Sequence, residues 1–327
     1  MPRVSTALTL ADRYGHWRMR WGLGRRHYRV APALYAVGEP RADAPVLVTA
    51  NYKMSFDLLR RALDGLSAWV LVLDTKGINV WCAAGKGTFG TAELVRRLAQ
   101  CRLDAVVSHR TLILPQLGAP GVAAHAVRQQ SGFAVKYGPV RAGDLPAYLA
   151  AGGEATPAMR RVTFTTRERL VLTPVEITSL LKPIGVGVVL LPLLGGLGPH
   201  VFTLDAAATR GGAAILAGLG GVLTGAVLVP LLLPWLPGRM FAGKGAATGA
   251  LVAAAATLLW ADRLGPLNSA ALLLALPAVA AWCAMNFTGS TTFTSPSGVE
   301  REMRRTIPWQ AAALLFGGVC WLAAAFL

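Results

Sequence analysis

Residues 79–87, Asn-Val-Trp-Cys-Ala-Ala-Gly-Lys-Gly, set a thiol between a tryptophan and a run of small residues. Several chemistries use such a stretch. A phosphate loop needs Gly, four residues, then Gly-Lys-Ser/Thr. Here Gly85-Lys86 is followed by Gly87, and Val80 stands where the first glycine is required. The overlapping stretch Gly85–Gly90 has the spacing of a dinucleotide fingerprint, but no acidic residue closes a second strand at the expected distance. A nucleophilic cysteine needs a base within reach, and nothing in the sequence brings His109 or His125 to Cys82. A ligand role for the sulfur stays open beside the plainer reading, a small buried cysteine filling a tight turn.

The elements that must position this stretch follow from composition. The 327 residues are 54% hydrophobic and only 15% charged, too apolar for an ordinary soluble enzyme. Of 32 basic and 16 acidic residues, 25 and 12 precede Pro183, so a basic half is followed by an apolar one. The net charge of +16 is densest near the start, where Arg13, Arg18, Arg20, Arg25, Arg26 and Arg29 interleave with Trp17, Trp21 and Tyr28. That pattern suits an anionic lipid surface, a nucleic-acid groove or an arm packed on the soluble half. With an apolar half in the same chain, lipid outweighs nucleic acid, and no nucleic-acid partner is expected. The first residues lack a sustained apolar core and do not read as a signal peptide. The four cysteines form no CxxC or Cys/His pair, which implies a reducing, cytoplasmic soluble half.

After a basic, aromatic arm (1–40), residues 41–157 alternate short apolar runs with amphipathic stretches. Runs at 44–52, 68–75, 104–109, 111–115 and 133–140 read as strands, with helices between, the first capped by Ser55. This spacing predicts an α/β domain with a Rossmann-like parallel sheet, whose ligands bind at the carboxyl ends of strands. Those ends offer Thr75, Gln116, Tyr137 and Gly138 as cofactor contacts, together with Ser55 at the first helix. Residues 158–182 read as a linker with a short β segment and a helix. Residues 183–327 then carry apolar spans near 183–198, 211–236, 245–261, 268–288 and 307–327, an all-α transmembrane domain of about five helices. Lys182, Arg239, Lys244, Arg301, Arg304 and Arg305 flank one side and only Arg210 and Arg263 the other, which puts the soluble half in the cytoplasm. The spans hold almost no charge, which favours an anchor over a transporter with a regulatory domain. The polar segment 286–298 reads either as a docking site or as a plain loop between helices.

Residues 79–86 resemble the signature of the corrinoid protein of microbial mercury methylation, itself related to the corrinoid-binding domain of the corrinoid iron–sulfur protein of acetyl-CoA metabolism. Residues 21–40, 44–60 and 284–303 are similar to that family too, as is an α/β domain followed by membrane helices. The resemblance implies a cobalamin-type corrinoid with Cys82 as lower axial ligand of its cobalt. It makes Asn79, Val80, Trp81, Ala83, Ala84, Gly85 and Lys86 the loop and cap helix beneath the ring, the small residues letting the backbone approach it. The usual Asp-x-His-x-x-Gly signature is absent, which agrees with a cysteine ligand. The implied activity is transfer of a methyl group from the Cys-ligated corrinoid to Hg(II), supplied as a thiolate complex, giving methylmercury. Implied partners are a ferredoxin-like protein with two [4Fe–4S] clusters, a methyltetrahydrofolate-linked methyl donor and the inner membrane. A corrinoid methyl carrier of a carbonyl/acetyl-CoA pathway is the alternative.

Overall fold

Short apolar runs become the strands of one six-stranded sheet: β1 (Arg3–Val4), β2 (Leu34–Val37), β3 (Val46–Ala50), β4 (Ala68–Leu73), β5 (Thr111–Leu114) and β6 (Ala134–Tyr137). Their spatial order is β1-β2-β4-β3-β5-β6. The computed structural model describes residues 1–290 and 296–327, in two compact units, 1–163 and 164–327. Strands β4, β3, β5 and β6 are parallel, with Val48 opposite Leu71 and Leu112 opposite Val135. All five residues of β3 are buried, because a parallel strand covered on both faces must be apolar throughout.

Six helices flank the sheet: α1 (Leu10–Arg20), α2 (Lys53–Ala62), α3 (Val80–Gly85), α4 (Thr91–Gln100), α5 (Ala124–Ser131) and α6 (Leu145–Ala150). One core joins Val46, Val48, Leu71 and Leu73 to Leu94, Leu98 and Val127 of α4 and α5. The other joins Leu47, Val70 and Val72 to Phe56 and Leu59 of α2 and to Leu145 and Tyr148 of α6. Helices on both faces make the unit doubly wound.

Four expectations need correction. The sheet is mixed, since β2 runs antiparallel to β4. The run 104–109 forms no strand; a tight helical turn, Leu103–Ala105, takes in its first residues, and Val107 beyond it is buried in the core. Helix α2 begins at Lys53 with Tyr52 as its cap, so Ser55 lies inside the first turn and caps nothing. Residues 1–40 are not a separate arm: β1 and β2 enter the sheet, and α1 is tied to α2 by charge. Asp57 of α2 is fully buried and accepts from His16 Nε2 at 2.9 Å, Lys53 Nζ at 2.7 Å and Arg60 Nε at 2.8 Å. Asp12 of α1 accepts from Arg60 Nη2 at 2.7 Å and from Lys53. Burial alone would raise both carboxyls, but bonds from Lys53 and Thr9 at Asp12, and from His16, Lys53 and Arg60 at Asp57, outweigh it and hold both below the ordinary carboxylate range.

The second unit is helical: α7 (Thr166–Ser179), α8 (Leu181–Gly195), α9 (Leu204–Leu232), α10 (Phe241–Leu259), α11 (Ala261–Asn286) and α12 (Pro296–Ala323). Helices α9 to α12 are each long and apolar enough to cross a membrane, and α7 with α8, bent by 51°, form a fifth candidate. The expected β segment before α7 does not form; Thr165 instead caps the helix, with Glu168 closing the capping box. Gly245 lets α10 lie against α11, since a Cβ there would sit 2.6 Å from Ala280 O. The buried charges described in this unit, Arg169 and Glu302, bind backbone at helix ends. Arg169 donates to the carbonyls of Phe164 and Leu231, and Glu302 accepts from Ala242 N. Of the polar segment 286–298, residues 291–295 lie outside the described residues.

Candidate functional site

Chain connections reverse direction between β3 and β5, because β3 leads through α2 to β4 on one side while β5 lies on the other. At such a switch point adjacent loops diverge and leave a crevice at the carboxyl ends of the strands. A cleft of about 270 Å³ opens there. Thr49 of β3, Ser55 and Leu58 of α2, Leu114–Pro115 after β5 and Gly138–Pro139 after β6 line it, and Asn79, Val80 and Trp81 reach its edge. Its volume falls just below that of most small-molecule pockets, about 300–1,000 Å³. A cleft of this size would take only part of a large ligand.

Helix α3 has six residues, too short to persist alone. Asn79 caps it, its Oδ1 accepting from Cys82 N at 3.0 Å. Its last turn is closed by Thr88 N and Phe89 N donating to Ala83 O. The 115–121 loop presses on it from the other side: a Cβ on Gly121 would lie 2.1 Å from Phe89 O and 2.9 Å from Ala84 Cα, so only glycine admits this contact. Below, Asn51 organises the 74–78 turn that delivers the chain to α3. Its Oδ1 accepts from Thr75 N, Thr75 Oγ1 and Gly77 N, and its Nδ2 donates to Asp74. Sequence reading did not single out Asn51; its burial at 2% exposure beside the turn is what reveals this role. Glu93 of α4 accepts from Asp74 N at 2.8 Å. Burial would raise its carboxyl, and bonds from Asp74 N, Arg97 and Arg96 outweigh that and lower it.

The sequence-derived candidates separate into four groups. Cys82 is exposed at α3, and Trp81, 37% exposed, stands at the cleft edge with Asn79 and Val80. Ser55 and Gly138 line the cleft interior, Gly138 close against Ile113, whose Cγ2 would be 3.0 Å from a Cβ there. Gly85 and Lys86 are exposed at the carboxyl end of α3, with open space around Gly85.

The remaining candidates serve the scaffold. Ala83 is fully buried and Ala84 nearly so, so their small size serves the packing of α3 on the core and offers no surface to a ligand. Thr75 is fully buried, its hydroxyl bonded to Asn51 and Ile78 O. Tyr137 packs with the α4–α5 core, on the sheet face opposite Ser55, and donates to Val122 O at 2.5 Å; burial raises its phenol. Gln116 is half-buried and accepts from Arg160 at 2.8 Å.

The donor chemistry is narrow. Among the described residues, no three His, Cys, Asp or Glu come together to hold a metal ion. His109 uses Nε2 on Ala44 O at 2.9 Å and Nδ1 on Thr111 N at 3.2 Å, so it does not serve Cys82 as a base. A bare metal ion would find one sulfur and little else. A metal already held by a chelating group of its own and needing one more donor would suit that single exposed thiol.

A doubly wound α/β unit with a ligand crevice at its switch point is the class that fold and site define. Comparison with known proteins narrows it. Residues 24–149 match the family described as CO dehydrogenase/acetyl-CoA synthase delta subunit. The chain is 28% identical over 127 residues to the acetyl-CoA decarbonylase/synthase complex subunit gamma of Archaeoglobus fulgidus, covering 38% of this chain and 27% of that one. It is 30% identical over 132 residues to the Methanopyrus kandleri subunit gamma, covering 39% and 28%. The Methanosarcina acetivorans subunit gamma is 32% identical over 124 residues, covering 36% and 25%. Each match takes in about a quarter of the relative's length. The first unit is thus a domain related to subunits of that complex.

Proposed function

We propose that residues 1–163 bind a corrinoid and act in methyl transfer, with Cys82 as lower donor to its cobalt. The observation that carries this is an exposed thiol on a braced turn beside the crevice, with no second metal-binding side chain grouped with it among the described residues. When bound, a cobalt corrinoid supplies a centre that takes up and releases a methyl group. The chain's own residues supply position and surroundings. Asn79 fixes the first turn of α3 through Cys82 N and so orients the sulfur. Trp81 offers an exposed indole against which a flat macrocycle can pack. The apolar walls from Leu58, Leu114 and Pro139 keep water from whatever part of the ligand enters the cleft. A sulfur donor in place of nitrogen changes the electron density at the metal, the lever axial ligands exert generally.

The relatives support a methyl carrier of a carbonyl/acetyl-CoA pathway as the nearer reading. Hg(II) is the second acceptor, favoured by the resemblance of residues 79–86 to the mercury-methylation signature and by the long apolar helices that accompany the domain. On either reading electrons and methyl groups come from separate proteins, a ferredoxin-like [4Fe–4S] protein and a methyltetrahydrofolate-linked donor. Helices α9 to α12 are read as an inner-membrane anchor with the corrinoid domain in the cytoplasm. The backbone-bound state of Arg169 and Glu302 supports an anchor rather than a transport path.

The test is anaerobic reconstitution of the full chain with cobalamin. Wild type is expected to show a cobalt–sulfur spectrum that Cys82→Ala loses. Unchanged spectra in the variant sink the ligand assignment. Methyl-loaded protein offered Hg(II), or a carbonyl/acetyl synthase with CO and coenzyme A, then separates the acceptors by product: methylmercury or acetyl-CoA.

A further inference from the structure

Helix α1 is built inside out. Its only acid, Asp12, faces inward with Gly15 and Met19, whereas Leu10 is 85%, Tyr14 61%, Trp17 53% and Trp21, just past its end, 36% exposed. The spacing of these four, by 4, 3 and 4 residues, draws one stripe along the helix. The rings form a continuous ladder, Tyr14 to Trp17 at 6.1 Å and Trp17 to Trp21 at 5.8 Å. Arg13 and Arg18 are exposed beside it, with no carboxylate paired to either among the described residues. Nothing in the folding of this unit requires the stripe, because α1 is held from its other side by the Asp12, Lys53 and Arg60 contacts.

We infer that this face of α1 is an interfacial docking surface for an anionic phospholipid bilayer. Two properties select lipid. Trp and Tyr combine an apolar body with a polar tip and concentrate at the level of lipid headgroups. Unpaired arginines beside them complement anionic headgroups, each basic residue near such a surface being worth about fivefold in binding. A protein partner or a second copy would need a complementary acidic and apolar face, and α1 exposes no acid to complete a self-complementary pair, its Asp12 being turned inward. The helix would lie in the interface rather than span it. The inference rests on the proposed anchoring of α9 to α12 to bring a bilayer within reach.

The experiment separates the two. Full chain carrying the photo-crosslinker p-benzoylphenylalanine in place of Trp17, or in place of Phe316 on α12, is reconstituted in bilayers of phosphatidylcholine with or without phosphatidylglycerol. Phe316 is 62% exposed and reports anchoring. Lipid adducts are expected at both positions. Those at position 17 should depend on phosphatidylglycerol and fall at least about fivefold in Arg13→Glu/Arg18→Glu, while those at 316 stay unchanged. Adducts at 316 without any at 17 overturn the α1 inference and leave anchoring intact. Adducts at 17 to protein, whether a second copy or an added partner, overturn it also. No lipid adduct at 316 overturns the anchoring instead. Both substituted positions are exposed, and an unchanged thermal transition checks that the variants fold.

Discussion

Asp57 has its carboxylate bonded by one imidazole, one ammonium and one guanidinium, with no solvent contact. Such a group is stabilising only while charged. Its folded-state pKa lies below its unfolded one, so its contribution is present above the ordinary carboxylate range and lost as pH falls through it, from about pH 4 downward. Asp57→Asn removes one of the two carboxylates that hold Lys53 and Arg60 and leaves Asp12 alone with both, a loss of about 1–3 kcal/mol at pH 7. Amide exchange of α1 and α2 should speed up accordingly. The gap between variant and wild type should narrow below pH 4, where the unfolded wild-type chain takes up a proton at Asp57 that the paired carboxylate of the folded state does not. A gap that stays constant across that range would mean the pairing contributes nothing through charge. Cys101 shows the opposite effect of burial. Packed on the α4–α5 core, its thiol is raised and stays protonated at neutral pH, unlike what a metal donor needs.

At the scale of elements, α3 cannot hold itself, so its partners decide whether Cys82 is presented in one place. Gly121→Ala drives a methyl group into the backbone at Phe89 and Ala84 and should loosen the helix by about 1–3 kcal/mol. Asn79→Ala removes the cap for about 1 kcal/mol. Protection of the amides of residues 82–89 against exchange should fall in both, more in the glycine variant; equal protection in both variants and wild type would refute the bracing role. A capping role for Asn79 was legible in the sequence, but the bracing by Gly121 was not, because the loop that meets α3 comes from about 40 residues away and its glycines carry no local signal. Strands β3 and β4 were legible, since buried parallel strands are apolar throughout, and β5 and β6 as short apolar runs between turns. Strand β2 was not: Pro32, Ala33 and Ala36 dilute its apolar run, and its place is earned by pairing with β4. The run 104–109 misled because two adjacent valines look like a strand over a length where a turn suffices. The Ala83-Ala84 pair misled in another way, since small residues suit a tight core as well as a ligand surface.

Taken as a whole, the first unit starts earlier than its composition suggests, and this has a measurable consequence. A fragment of residues 41–157, the span that alternates strands and helices, would lose β1, α1 and β2. With them go Met19, Leu34 and Val37, all buried, at about 1.5–3 kcal/mol each for side chains of this size. The sum, about 5–9 kcal/mol, rivals the whole stability of an ordinary domain, about 5–15 kcal/mol. The truncation also leaves β4 as an open edge with unpaired backbone, an invitation to aggregate. It strips Arg60 of Asp12 and Asp57 of His16 as well. Residues 1–163 keep both cores and every strand of the sheet. Expressed alone, 1–163 should therefore give a monomer with a sharp urea transition and near-ultraviolet circular dichroism of fixed aromatic packing. The 41–157 fragment should aggregate or unfold without a cooperative transition. Equal cooperativity in the two fragments would show that α1 and β2 decorate the domain rather than complete it, and would leave the outward aromatic stripe of α1 without the rigid support its docking role requires.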